Sequence, residues 1–281
     1  MTGKLVKSIV IAGLALTTSL MPATAGPIMD RIKAGEPIRI GFSNVPIWGF
    51  PDENGDAKGF VNEIALGILE EMGHSDVSIA VTDWAGLIPG LKAGRYDMIT
   101  GGLYILNSRC KNIAFSEPIA TTGDAFLVPT GNPKNITTYK DIAEQEAVLA
   151  AVAGYNTVEA AKKEGVADSQ IMQVPSPTEL LYAIKSGRVD VAGLTYFEAN
   201  FLAETSEGTI EVTDPAALPD WTQNWVGIGF RFEDADFMEQ FNAALKRHVG
   251  TAEMLASVSE YGFTEQHLPG ETAADWVCEN R

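Results

Sequence analysis

Leu91-Lys92-Ala93-Gly94-Arg95-Tyr96-Asp97-Met98 and Ile184-Lys185-Ser186-Gly187-Arg188-Val189-Asp190-Val191 stand 93 residues apart and read almost alike. In each, an apolar-periodic helix (Leu87, Ile88 and Leu91; then Leu180, Leu181 and Ile184) ends in a basic last turn with Gly at the C′ position. Glycine closes a helix in the left-handed conformation without a Cβ penalty, and an apolar or β-branched strand begins two or three residues later. One such stop is ordinary. Two, with Gly-Arg-x-Asp at matched offsets, predict two similar α/β lobes.

Working outward from the first copy, Ile38 to Phe42 reads as a strand. Val61, Ile64, Ala65, Ile68, Leu69 and Met72 fall at helical spacing before Gly73, and Val77 to Val81 reads as a second strand. Strand, helix and strand at this spacing make a parallel sheet with right-handed crossovers. Around the second copy the order repeats, with a strand at Val148 to Val152, a helix from about Thr157 to Glu164 and a strand at Ile171 to Val174. Phe126-Leu127-Val128, running into Pro129-Thr130-Gly131-Asn132-Pro133, and the apolar run Val226 to Phe232 read as two linking strands. The first lobe is then discontinuous, residues 26–128 and 230–281, closed by the helix containing Phe237, Phe241, Leu245 and Val249. The second lobe is residues 129–229. Two crossings make a hinge, and the cleft between the lobes is where a small ligand is expected.

The chain has 281 residues, 46% of them apolar, enough to bury a core in each of two domains. Its 37 acids against 20 bases give a formal charge of −17, which repels a phosphate backbone and makes nucleic acid and anionic membrane poor partners. The acids are scattered, so this charge reads as a solvated surface. At the N-terminus, Lys4 and Lys7 accompany an apolar run from Leu5 to Leu20, and Ala23-Thr24-Ala25 supplies a small-x-small cleavage pattern. Residues 1–25 therefore read as a secretory signal peptide cleaved near Gly26, and the run is short of the ~20 residues a span needs. With no cysteine at the cleavage site to carry a lipid, the expected compartment is the periplasm.

Cys110 and Cys278 are the only cysteines, 168 residues apart. In an exported chain the even count predicts one disulfide, worth ~4–5 kcal/mol in the entropic account of so long a loop, with two free buried thiols as the alternative. His74, His248 and His267 stand alone without ligand spacing, so no metal site is expected, and no cofactor motif is present.

The chain resembles the polar-amino-acid family of periplasmic solute-binding proteins that feed ABC importers. The resemblance is carried by Gly59-Phe60-x-x-Glu63-Ile64-Ala65, Trp84-x-Gly86-Leu87-Ile88-Pro89-x-Leu91-x-x-Gly94-x-x-Asp97, Arg109 six residues before Phe115-Ser116-x-Pro118, and Tyr261-Gly262-Phe263. It implies a two-lobed type II periplasmic-binding fold, with parallel sheets flanked by helices and two crossover hinge strands. It also implies a membrane permease as partner, a monomer in solution, and Arg109 pairing with a ligand carboxylate. A planar guanidinium offers two parallel donors where a lysine offers a point charge, which suits that role. Members of the family that bind α-amino acids place Thr-x-x-Arg at this arginine and an Asp after the second-lobe strand. Leu106 and Leu194 stand there, and a buried ammonium without a carboxylate costs several kcal/mol, so an ordinary amino acid is not the expected ligand.

Trp48, Trp84 and Tyr104 occupy positions that face the cleft in the resembled fold, and together form an aromatic box for a delocalised or methylated cation. Gly102-Leu103-Tyr104 running to Arg109-Cys110, with the terminal Cys278, is similar to the ectoine/5-hydroxyectoine-binding branch of the family. Ectoine is a cyclic amidinium carboxylate, so the box takes the ring and Arg109 the carboxylate. Gly154-Tyr155-Asn156-Thr157 opens a helix whose backbone N–H groups and Thr157 hydroxyl offer a second anion-binding point, or form only an N-cap. The branch has a Glu to accept the amidinium N–H groups where Val45 stands, and a methylated onium zwitterion would not miss it. A further class is a periplasmic dehydratase of the same fold, for which Glu63, Asp124 and Glu198 are candidate acids or bases without a motif pairing them.

Overall fold

The computed structural model describes residues 26–281, and the signal peptide expected at 1–25 lies outside them. In chain order the first half comprises α1 (Pro27–Lys33), β1 (Ile38–Phe42), a short hairpin of β2 (Phe50–Pro51) and β3 (Ala57–Lys58), α2 (Phe60–Glu71) and β4 (Val77–Val81). Next come α3 (Leu87–Lys92), β5 (Met98–Ile99), α4 (Asn107–Cys110), β6 (Ala114–Phe115) and β7 (Ala120–Thr122). The chain continues through β8 (Asp124–Pro129), α5 (Tyr139–Glu144), β9 (Leu149–Val152), α6 (Asn156–Lys163), β10 (Ile171–Val174), α7 (Pro177–Lys185) and β11 (Val191–Thr195). Last are α8 (Tyr196–Glu204), β12 (Ile210–Val212), β13 (Asn224–Val226), β14 (Gly229–Phe230), α9 (Ala235–His248), α10 (Ala252–Val258) and α11 (Ala274–Asn280).

These strands make two five-stranded sheets of matching plan, ordered β4-β1-β5-β14-β6 and β10-β9-β11-β8-β12. In each, three parallel strands come first and the fourth strand runs antiparallel to the third. The repeated Gly-Arg-x-Asp has the same job in both. Gly94 and Gly187 take positive φ just past α3 and α7, and three residues later the aspartate caps the start of a neighbouring parallel strand, β1 in one sheet and β9 in the other. Asp97 Oδ2 accepts from the Arg39 N–H at 3.0 Å, and Asp190 Oδ2 accepts from the Val148 N–H at 2.8 Å. The motif therefore ties helix end to strand start. Asp97 is also held by the guanidinium groups of Arg39 and Arg231, at 2.7 and 3.1 Å.

The two sheets are linked by an antiparallel ribbon, Asn224–Val226 of β13 against Ala120–Thr122 of β7. The sequence reading places a link at Phe126-Leu127-Val128 and a lobe boundary after residue 128. The structure instead pairs Asp124–Pro129 with β11 and β12, inside the second sheet. The alternation of Phe126, Leu127 and Val128 is fully buried on both faces, the pattern of a central strand and not of a linker. The apolar run Val226 to Phe232 likewise divides, its first residue in the ribbon and Gly229–Phe230 in the first sheet. Each sheet's fourth strand is thus the one that arrives from the ribbon. Separate cores form behind the sheets, one around Phe42, Phe60, Phe230 and Phe241, another around Leu127, Leu180, Ile184 and Leu194. α11 docks on α4 through the Cys110–Cys278 disulfide, whose Cα atoms lie 5.8 Å apart.

Candidate functional site

Between the sheets lies a tight cavity of about 10 Å³, walled on one side by Val45, Trp48, Trp84, Gly102, Tyr104 and Arg109 and on the other by Tyr155, Asn156, Thr195 and Glu198. As it stands this holds about one water molecule, well below the roughly 300–1,000 Å³ of ligand sites. Strand ends build it. Val45 and Trp48 follow β1, Gly102 and Tyr104 follow β5, Tyr155 and Asn156 follow β9, and Thr195 ends β11. All lie past the C-terminal ends of parallel strands, where open α/β sheets place ligands.

Arg109 is buried on the four-residue α4, its Nη1 donating to the Tyr104 carbonyl and its Nη2 to the Gly154 carbonyl, both at 3.0 Å. Two of five guanidinium donors are therefore spent on backbone, and among the described residues the cation has no carboxylate in salt-bridge contact. Burial pulls the guanidinium down to about 10, with Glu159 opposing. Three further bonds cross the cleft: Trp84 Nε1 to the Gly154 carbonyl and Trp48 Nε1 to Thr195 Oγ1, both at 3.2 Å, and Ser108 Oγ to Glu159 at 3.3 Å. The lobes are shut. Gly102 is required at φ +87°, because a Cβ there would overlap the Trp48 ring, and Gly154, at φ +84°, brings its carbonyl to both Trp84 and Arg109.

The three aromatics foreseen for the box all reach the cavity. Trp48 meets Tyr104 edge to face at 6.2 Å, Trp84 packs on Tyr155 at 4.8 Å, and the Arg109 guanidinium stands 5.9 Å over the Trp84 ring. Thr157 does not reach it. It is wholly buried, its hydroxyl 3.4 Å from the Gly193 carbonyl, because the first turn of α6 points Tyr155 and Asn156 inward and packs Thr157 on β11. The N-cap alternative also fails, since the capping position is Tyr155 and its side chain makes no cap bond.

Leu194, where an acid was expected from the family comparison, belongs to the second core; the strand pleat turns the next residue, Thr195, into the cavity. An acid does reach the cavity beside the aromatic box, one helical turn further on. Glu198 is 1% exposed and lines the cavity. Its Oε1 accepts from the Tyr155 hydroxyl at 3.1 Å, while Oε2 is buried without a hydrogen-bond partner. Burial pushes this carboxyl up to about 8, against the Tyr155 hydroxyl, which favours ionisation. The Tyr104 hydroxyl is buried without a partner as well. Behind the wall, Asp124 accepts from Asn156 Nδ2 at 2.7 Å and from the Tyr139 hydroxyl at 3.1 Å, and burial pushes it to about 7. Glu63 is elsewhere, paired with Lys58 at 3.3 Å.

A signal for Glu198 was present in the sequence. Thr195-x-x-Glu198 after a strand has the form of a capping box, in which the Glu turns back to the N-cap N–H. Here Thr195 Oγ1 does accept from the Glu198 N–H at 3.3 Å, but the Thr195 backbone is in β11, paired with Asp124. The carboxylate is therefore free to face the cleft. Among the described residues no group of three or more His, Cys, Asp or Glu is placed to hold a metal ion, and no helix is long and apolar enough to cross a membrane.

Two α/β lobes joined by a two-stranded ribbon and closed over a small polar-aromatic cavity define a type II solute-binding protein. The chain belongs to the bacterial extracellular solute-binding proteins, family 3, which it matches over residues 38–263. A probable amino-acid ABC transporter periplasmic-binding protein of Sinorhizobium fredii is 30% identical over 275 residues, covering 95% of this chain and 91% of its own. An arginine-binding periplasmic protein of Mannheimia haemolytica is 26% identical over 72% of this chain and 80% of its own. Among solved structures, EhuB in complex with hydroxyectoine superposes with a TM-score of 0.81 at 28% identity, covering 89% of this chain and 97% of that one. A truncated, arginine-bound ArgBP from T. maritima gives 0.68 at 26% identity, covering 78% and 99%. The protein is thus the substrate-binding component of an ABC importer for amino acid-like ligands, a class that delivers small molecules to a membrane permease.

Proposed function

We propose that the protein captures a small zwitterion of the ectoine/5-hydroxyectoine type in the periplasm, as a monomer, after losing residues 1–25. The observation that carries this reading is Arg109: a buried guanidinium with donors to spare and no acid in contact, opening on a cavity walled by Trp48, Trp84 and Tyr104. A ligand carboxylate supplies the missing counterion, and the ring with its delocalised charge fits between π faces. The likeness to the hydroxyectoine complex, at 28% identity, supports the same choice. A second reading, an α-amino acid, is favoured by Glu198, an acid that an ammonium group can reach. A methylated onium has no N–H for that oxygen and ranks below both.

Calorimetric titration of the mature protein with ectoine, 5-hydroxyectoine, arginine, glutamate and glycine betaine separates these readings. Ectoine or 5-hydroxyectoine is expected to bind tightest and to raise the melting temperature as RT ln(1 + [L]/Kd) requires. Tighter binding of arginine or glutamate replaces the first reading with the second. Turnover of a prephenate-like acid would instead make the site catalytic.

A further inference from the structure

The cleft is shut, yet two of the polar atoms inside it, Glu198 Oε2 and the Tyr104 hydroxyl, have no hydrogen-bond partner among the described residues. A buried carboxylate oxygen left so is costly when charged, and much less so when it carries a proton it can donate. Among the described residues no cation is in salt-bridge contact with it. From α6 comes the Tyr155 hydroxyl, 3.1 Å from Oε1, and from the loop before α4 comes Tyr104, held well above its ordinary value by burial. β8 contributes Asp124, another acid, already engaged by Asn156 and Tyr139. Arg109 is bonded to the Tyr104 and Gly154 carbonyls, and His267, whose ring packs 4.3 Å from Phe197 of the same helix, is pulled down by burial.

We propose that Glu198 holds a proton while the cleft is closed and empty, and gives it up to solvent when a ligand cation bearing an N–H donates to Oε2. The balance is one proton out for one ligand charge in. This rests on the zwitterion reading and narrows it, since the second lobe supplies the cation's acceptor from α8 and the ligand must carry an N–H, as an amidinium or ammonium does and a quaternary onium does not. It also sets a direction: Glu198 must ionise to bind, so affinity falls by up to tenfold for each pH unit below about 8.

Two measurements test it. Without ligand, melting of the wild type and of Glu198→Gln is followed from pH 5 to 8; the neutral amide is expected to gain several degrees on the wild type as pH rises, and parallel curves would overturn the protonated state. With ectoine, and separately with arginine, titrations at pH 7 in buffers of low and high ionisation enthalpy are expected to show release of most of one proton by the wild type and none by Glu198→Gln, with the variant's Kd raised tenfold or more at pH 8. Binding without proton release, or unweakened binding by the variant, overturns the exchange while leaving the Arg109 reading in place. Should neither probe bind, the zwitterion reading falls and the exchange with it, and the melting comparison still decides the proton.

Discussion

At the scale of single residues, the site separates recognition from stability. Arg109→Lys keeps a positive charge but removes the fork that spans the Tyr104 and Gly154 carbonyls and still faces the cavity. Calorimetry is expected to show a loss of affinity of tenfold or more with a melting temperature changed by only a few degrees. Equal affinity would place the ligand carboxylate elsewhere. Trp84→Leu keeps apolar area and loses both the π face and the Nε1 bond to Gly154, so binding is expected to weaken by ~1–2 kcal/mol beyond the packing change, read from the same titration. Trp48, Trp84, Gly102, Tyr104 and Arg109 were legible in the sequence through the motifs that carry the family resemblance in the first lobe. Thr195 was not, because a one-residue change of pleat phase exchanges Leu194 for Thr195, and Glu198 was legible only as a candidate acid of the dehydratase reading, because a Thr-x-x-Glu run reads as a cap. Only the pairing of β11 with β8 shows that the cap is half-formed and the carboxylate free.

Among the elements, α4 is the most exposed to disturbance. It has four residues, carries Arg109, and is tethered to α11 by Cys110–Cys278, with Asn107 Nδ2 also donating to the Cys278 carbonyl at 2.8 Å. Replacing both cysteines with serine removes the constraint on a 168-residue loop, up to ~4–5 kcal/mol in the entropic account, although Val277 stays buried and keeps part of the docking. The variant is expected to melt well below the wild type and to bind ligand several-fold more weakly, because α4 loses its brace; unchanged affinity in calorimetry would mean that the two carbonyl bonds alone position Arg109. The element plan itself was legible from periodicity and from the paired Gly-Arg-x-Asp stops, whose aspartates cap β1 and β9. The crossing points were not. A buried run such as Phe126-Leu127-Val128 looks the same in a link and in a central strand, and the ribbon strands β7 and β13 have three residues each, too few to show a period.

For the whole molecule, the buried and half-buried carboxyls make closure and folding depend on pH in opposing directions. Asp97 is desolvated, but the Arg39 and Arg231 guanidinium groups and the Arg39 N–H overcome this and hold it below the ordinary range; Asp190 is likewise held low by the Val148 N–H and Lys134. Their contribution is present above the unfolded value near 4 and lost as pH falls through the folded one. Asp124 and Glu198 behave in the other sense. Burial raises them to about 7 and about 8, so their cost is absent below pH 4 and grows as pH rises, becoming complete above pH 8. At ~1.4 kcal/mol per unit these raised groups amount to several kcal/mol at the alkaline end. The ligand-free protein is therefore expected to melt highest near pH 5 and to lose ground towards pH 8, while saturating ectoine, by pairing with Glu198, restores most of its share of the loss and moves the maximum upward. Differential scanning calorimetry across pH 4–9, with and without ligand, reads this directly. A ligand-free melting temperature as high at pH 8 as at pH 5 would mean that water reaches both carboxyls, and that the lobes stand open when the cleft is empty.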